Sequence, residues 1–138
     1  MKSICTIRTR LTFVCAASIL TLAACSSAKV VDEAAMAKPT GSAFNQGLHK
    51  DYVTLAKSEL DQGDRSDAEH YAMKAKEAAA GKPVPPDQVS ARSLNAPEAN
   101  TLTEARMRLV SALDGPVAAK KPDQAAKAQS MFDCWLAA

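Results

Sequence analysis

Four cysteines, Cys5, Cys15, Cys25 and Cys134, and two histidines, His49 and His70, are the thiol and imidazole side chains of this 138-residue chain that could carry nucleophilic or metal chemistry. A cysteine acts through its thiolate, as nucleophile or as metal ligand. A zinc site needs further ligands at short spacing, and Cys134 stands too far from either histidine in the chain to supply one. His49 precedes Lys50 and Asp51, and His70 follows Glu69, so both histidines read as solvated surface residues. Asp61, Asp64 and Asp67 gather around Gly63, but the spacing of an EF-hand calcium loop fails. Asp64 and Asp67 read instead as capping groups, because negative charge is favourable at a helix N-terminus. There is no glycine-rich phosphate loop and no Gly-x-Ser-x-Gly elbow. No catalytic, cofactor-binding or metal-ligating residue is assigned, and a non-catalytic protein is expected.

The first 25 residues hold the most specific pattern. Lys2, Arg8 and Arg10 form a basic start, and an uncharged stretch runs from Leu11 to Leu22-Ala23-Ala24-Cys25. A basic segment, a short apolar segment and small residues at the cut make a secretory signal. The stretch is too short for an ordinary membrane span. Removing three of the 17 basic residues leaves 14 against 15 acidic, so the formal charge of +2 is a targeting feature and the mature chain is near neutral. Scattered lysines and arginines, with only 4% aromatics, exclude a nucleic-acid surface.

Leu22-Ala23-Ala24-Cys25 resembles the lipobox of bacterial lipoproteins. The resemblance implies that residues 1–24 are a lipoprotein signal peptide. It further implies that the Cys25 thiol receives a diacylglyceryl group and becomes the N-terminus after cleavage. Two or more acyl chains of the palmitate class hold a protein on a membrane where one does not. By the family's sorting rule Ser26, in place of Asp, points to the outer membrane, with the protein anchored by lipid on its periplasmic face.

Residues 25–42 read as the lipidated N-terminus and a flexible tether, with a composition from Val30 to Ala37 that allows one or two helical turns before Lys38-Pro39-Thr40-Gly41-Ser42 breaks them. Residues 43–138 read as an all-α periplasmic domain, a small antiparallel bundle of about four helices. Phe44, Leu48, Tyr52, Leu55, Ala56 and Leu60 make one apolar face of a first helix that Ser42 caps and Gly63 ends. Ala68, Ala72, Ala75 and Ala79 form the inner stripe of a second helix ending before Gly81. The short turn makes the two antiparallel. This hairpin is similar to one tetratricopeptide unit, without a second copy at that repeat's period.

Pro83, Pro85 and Pro86 impose a loop from residue 82 to 95, of a length often found in functional or mobile segments. A third helix from about Ala96 turns Leu102, Ala105, Leu109, Ala112 and Leu113 inward and Arg106 outward. A fourth, opened by Pro122, carries Ala125, Ala128, Phe132, Trp135 and Leu136. Phe132, Trp135 and Leu136 form a candidate contact face. The helix has no closing signal after them, so a C-terminally truncated chain is expected. In an oxidising periplasm an exported cysteine tends to be paired; a partner of Cys134 beyond residue 138 is the preferred expectation, beside an intermolecular bond or a free buried thiol.

Tyr52-Val53-Thr54-Leu55-Ala56, Asp64-Arg65-Ser66-Asp67-Ala68 and Ala128-Gln129-Ser130-Met131-Phe132-Asp133-Cys134-Trp135 carry a second resemblance. With them, residues 43–138 resemble the N-terminal helical region of α-proteobacterial OmpA-family lipoproteins. In that family an OmpA-like, peptidoglycan-binding domain follows, which would lie past residue 138. The resemblance implies a structural anchor or spacer of the cell envelope that presents that domain. The alternative is a helical-hairpin adaptor for another periplasmic envelope protein.

Overall fold

The computed structural model describes residues 21–138, with side chains described from residue 26. The secondary structure of the described residues is helical, without strands: α1 (Thr21–Met36), α2 (Ala43–Gln62), α3 (Arg65–Ala79), α4 (Ala96–Leu113), the single turn α5 (Val117–Lys120) and α6 (Pro122–Ala137). A 3₁₀ turn at Val89–Ala91 interrupts the proline-rich loop. No helix among the described residues is long and apolar enough to cross a membrane.

The α2–α3 hairpin is the centre of the fold, and its limits follow from local chemistry. The Ser42 hydroxyl accepts from the Asn45 amide at 3.2 Å, satisfying one orphan donor of the first turn. At the other end Gly63 adopts φ +83°, the left-handed region that a side chain disfavours. Its amide bonds to Leu60 O and that of Asp64 to Glu59 O, a Schellman pair that closes the helix. Asp64 then caps α3 by accepting from the Asp67 amide at 3.1 Å. Gly81, at φ +73°, closes α3 in the same manner through Ala78 O and Glu77 O. Between these caps, Leu48, Tyr52, Leu55 and Ala56 meet Ala68, Tyr71, Ala72, Ala75 and Ala78 in one core. The small alanines let the helices approach closely, and Tyr52 stacks on Tyr71 with ring centroids 6.1 Å apart.

Helix α1 corrects the expected tether. Residues 26–36 are helical and packed, and only the segment around Lys38-Pro39-Thr40-Gly41 leaves helical geometry. Ser27, Val31 and Ala34 recur at helical spacing and are buried on the hairpin. His49, expected on the surface, is buried and donates from Nε2 to Ala34 O at 2.9 Å. The Thr40 amide donates to Ala79 O at 2.9 Å. Gly41 passes so near Gly81 that a Cβ at residue 41 would lie 2.8 Å from the Gly81 Cα. A segment too short in apolar residues to fold alone is thereby held by tertiary contact.

Helix α6 lies on α2, burying Ala125, Ala126, Gln129, Ser130, Asp133 and Cys134. Ala128, expected inside, is exposed. A second small core joins Leu102 of α4 to Phe132 and Leu136 of α6, with Ala105 and Leu109 against it. Helix α4 rests on the bundle through this patch, so Ala112 is exposed and Leu113 only half-buried.

At Gly63 a Cβ would meet nothing within 4 Å, so substitution there tests backbone strain alone. Gly63→Ala is expected to cost about 1–2 kcal/mol in chemical denaturation. An unchanged midpoint would contradict the left-handed cap.

Candidate functional site

The most concentrated polar chemistry lies inside the protein, where α3, the proline-rich loop and α6 meet. Lys74 faces inward from α3 because it shares a side of that helix with Tyr71 and Ala78. Its ammonium donates to Asp133 Oδ2 at 2.5 Å, to Asp87 Oδ1 at 2.6 Å and to Pro85 O at 3.1 Å. It also lies 5.0 Å from the centre of the Tyr52 ring, within cation–π range. Asp133, 1% exposed, accepts from the Tyr52 hydroxyl at 2.6 Å and, through Oδ1, from the Asp87 amide at 2.8 Å. The Tyr71 hydroxyl donates to Asp133 O at 3.1 Å. Gln129 completes the cluster by donating to Tyr52 at 3.0 Å and to Val84 O at 2.7 Å.

Its outer edge reaches solvent through His70, whose Nε2 donates to Asp87 Oδ2 at 2.7 Å. Arg106 reaches back from α4 to donate to Asp87 O at 2.8 Å and Pro86 O at 3.0 Å. Arg106 is thus turned inward against expectation, whereas His70 keeps much of its side chain in solvent while bonding to Asp87. Arg106 is drawn in by the carbonyls of Pro86 and Asp87 on the loop. The loop itself is pinned at Val84, Pro85, Pro86 and Asp87. A third clamp, Arg92 to Asp67, fastens its far end to the first turn of α3.

The charges shift accordingly. Burial pushes the Asp133 carboxyl up, and Lys74 pulls it back without cancelling that rise. Burial pushes Asp87 up as well, but hydrogen bonds from His70 and Lys74 outweigh it and leave the carboxyl below its ordinary value. Burial, then Asp133, raises the Tyr52 hydroxyl well above the usual phenol, so it stays a donor. A lysine, two aspartates, a tyrosine and a histidine are a set that proton-transfer chemistry uses. Here each group uses its hydrogen-bonding capacity on the others, and none of the buried side-chain polar atoms among the described residues lacks a partner. The cluster therefore works as a staple.

The expected contact face is corrected. Phe132 and Leu136 are 6% and 3% exposed and belong to the second core, while Trp135 is 52% exposed. A hydrophobic helix buries one side, and residues 132 and 136 share that side whereas 135 does not. Trp135 instead borders an open groove of about 220 Å³ with Pro97, Glu98, Thr101 and Leu102. Cys134 is disulfide-bonded, so its partner lies within this chain and not beyond residue 138. The other cysteines, Cys5, Cys15 and Cys25, fall outside the residues whose side chains are described. The lipidation candidate Cys25 has its backbone in α1. Asp61 stays exposed, and no group of three or more His, Cys, Asp or Glu among the described residues is placed to hold a metal ion.

The staple itself was not legible in advance. Lys74 and Asp133 carried no spacing signal, and the one available hint was a lysine inside an alanine stripe. Comparison with known protein families, curated proteins and solved structures finds no match.

Lys74→Ala would leave the buried Asp133 carboxylate unpaired and is expected to cost about 3–5 kcal/mol. The pair Lys74→Met with Asp133→Leu should recover much of that loss in a double-mutant cycle, whereas simple additivity would sink the staple. The lowered Asp87 pKa stabilises the fold above the ordinary carboxylate range, and this is lost as pH falls through the folded value. The stability gap between wild type and Asp87→Asn should therefore narrow on acidification, and a gap independent of pH would contradict this.

Proposed function

We propose that the chain is a non-catalytic outer-membrane lipoprotein, a structural anchor or spacer of the cell envelope with its helical bundle in the periplasm. The observation that carries the reading is Leu22-Ala23-Ala24-Cys25 at the end of an uncharged stretch after Lys2, Arg8 and Arg10. The thiolate of Cys25 displaces the phosphoglycerol headgroup of a phospholipid, forms a thioether to its diacylglyceryl part, and becomes the first residue on cleavage. The buried staple supports a structural role, since its charged groups are bound to one another. On the family resemblance, the same bundle would stand before a peptidoglycan-binding domain in a longer protein.

A helical adaptor for another envelope protein is the second reading. It rests on the exposed Trp135 and its groove, because Phe132 and Leu136 are committed to the interior.

Expression in a bacterium that processes lipoproteins is expected to give a mature protein beginning at Cys25 with the added mass of its acyl chains. Cys25→Ala should then move the protein from the membrane fraction to the unprocessed or soluble pool. An unacylated mature N-terminus would refute the reading. The Cys134 disulfide bears on this directly: its partner is Cys5, Cys15 or Cys25, and with residues 1–24 removed and Cys25 acylated the reading requires a reduced Cys134 in the processed protein. A disulfide between Cys25 and Cys134 in non-reducing peptide maps of the processed protein would therefore refute it, because one sulfur cannot be both thioether and disulfide.

A further inference from the structure

Helix α1 decides where a lipid on residue 25 would sit relative to the bundle. Ser27 bonds to Glu69 near the start of α3, and Glu33 pairs with Lys76 near its end at 3.0 Å. Helix α1 therefore runs parallel to α3. At about 1.5 Å per residue, residue 25 comes level with the first turn of α3, at the end of the bundle that carries the Gly63 turn. Ser27, Val31 and Ala34 are buried, so the body begins two residues after the lipidation candidate and no flexible spacer separates them.

Helix α6 points to the same end. A Cβ at Gly47 would touch Ala126, Ser130 meets Asp51 at 3.3 Å, and Asp133 meets Tyr52, so α6 runs alongside α2 toward Gly63. Arg92, clamped to Asp67 in the first turn of α3, lines a second groove together with Trp135 and Leu136. Trp135 thus projects from the half of the bundle nearest the lipidation candidate.

We propose that this end is a bilayer-facing surface, with Trp135 and the groove of Pro97, Thr101 and Leu102 seated in the headgroup region of the membrane that holds the Cys25 lipid. The inference rests on the lipoprotein reading. An indole is amphipathic and prefers the boundary between apolar and wet phases. A short rigid link keeps the surface at high effective concentration beside the bilayer, so even a weak apolar contact is made. The bundle then lies against the membrane in one orientation and is not lifted away on a tether.

Trp135 is the only tryptophan, so its emission reports this one position. The acylated full chain, its mass verified, is reconstituted in phosphatidylethanolamine–phosphatidylglycerol vesicles with and without lipids brominated near the carbonyl. Brominated lipid is expected to remove most of the Trp135 emission. In Trp135→Phe with Val117→Trp, the indole moves to exposed α5 at the opposite end and should stay unquenched. Verified acylation with an unquenched Trp135 overturns the proposal and leaves that residue to a protein partner, and equal quenching at both positions also overturns it. A mass without acyl chains brings down the lipoprotein reading and this inference together.

Discussion

Lys74 lies between Asp133 and Asp87, and three parts of the chain depend on that junction. The lysine comes from the second helix of the hairpin, one aspartate from the last helix and the other from the proline-rich loop. Burying an ammonium is costly unless carboxylates and further hydrogen bonds surround it. The surrounding donors and acceptors, Tyr52, Tyr71, Gln129 and the Asp87 amide, all come from elements that must be in their final places. The staple is thus satisfied only in the complete fold. Apolar contact between alanine stripes is tolerant of sliding, and a buried ion pair with several fixed partners is not.

The same junction explains the loop. A segment of this length with three prolines can form few internal hydrogen bonds. Its backbone carbonyls are instead used as acceptors by Lys74, Gln129 and Arg106. The loop is therefore a structural strap between α3 and α4, and Arg92 closes its far end on Asp67. Arg106 leaves the solvent side of α4 because these carbonyls lie within its reach. The exposed pair Glu33–Lys76 is of another kind, since solvent and salt weaken such pairs and they contribute little.

Helix α1 changes how the N-terminal region acts mechanically. A flexible tether would separate an anchor from its domain, whereas a helix sealed on the hairpin by Ser27, Val31 and Ala34 transmits position and orientation. The His49 bond to Ala34 O and the close pass of Gly41 by Gly81 fasten both ends of the connection. Residues 26–36 and the bundle then move as one body. Of the apolar residues at the end of α6, only Trp135 stays exposed, because Phe132 and Leu136 fill the second core.

The sequence by itself determined the helices of the hairpin, their caps at Ser42, Asp64, Gly63 and Gly81, and the inner stripe of alanines. It likewise held the signal-like start and the lipobox-like run to Cys25. These are local matters: a cap needs one side chain, a left-handed turn needs one glycine, and a periodic face needs only spacing. Tertiary structure alone decided the fate of residues 26–36, the inward turn of Lys74 and Arg106, the burial of His49, and which of Phe132, Trp135 and Leu136 would face solvent. Each depends on a partner distant in the chain, such as Asp133 for Lys74 or Ala34 for His49. A polar side chain has no periodic signature that distinguishes a buried, satisfied place from an exposed one. Only the folded chain brings its counter-charge within hydrogen-bonding distance.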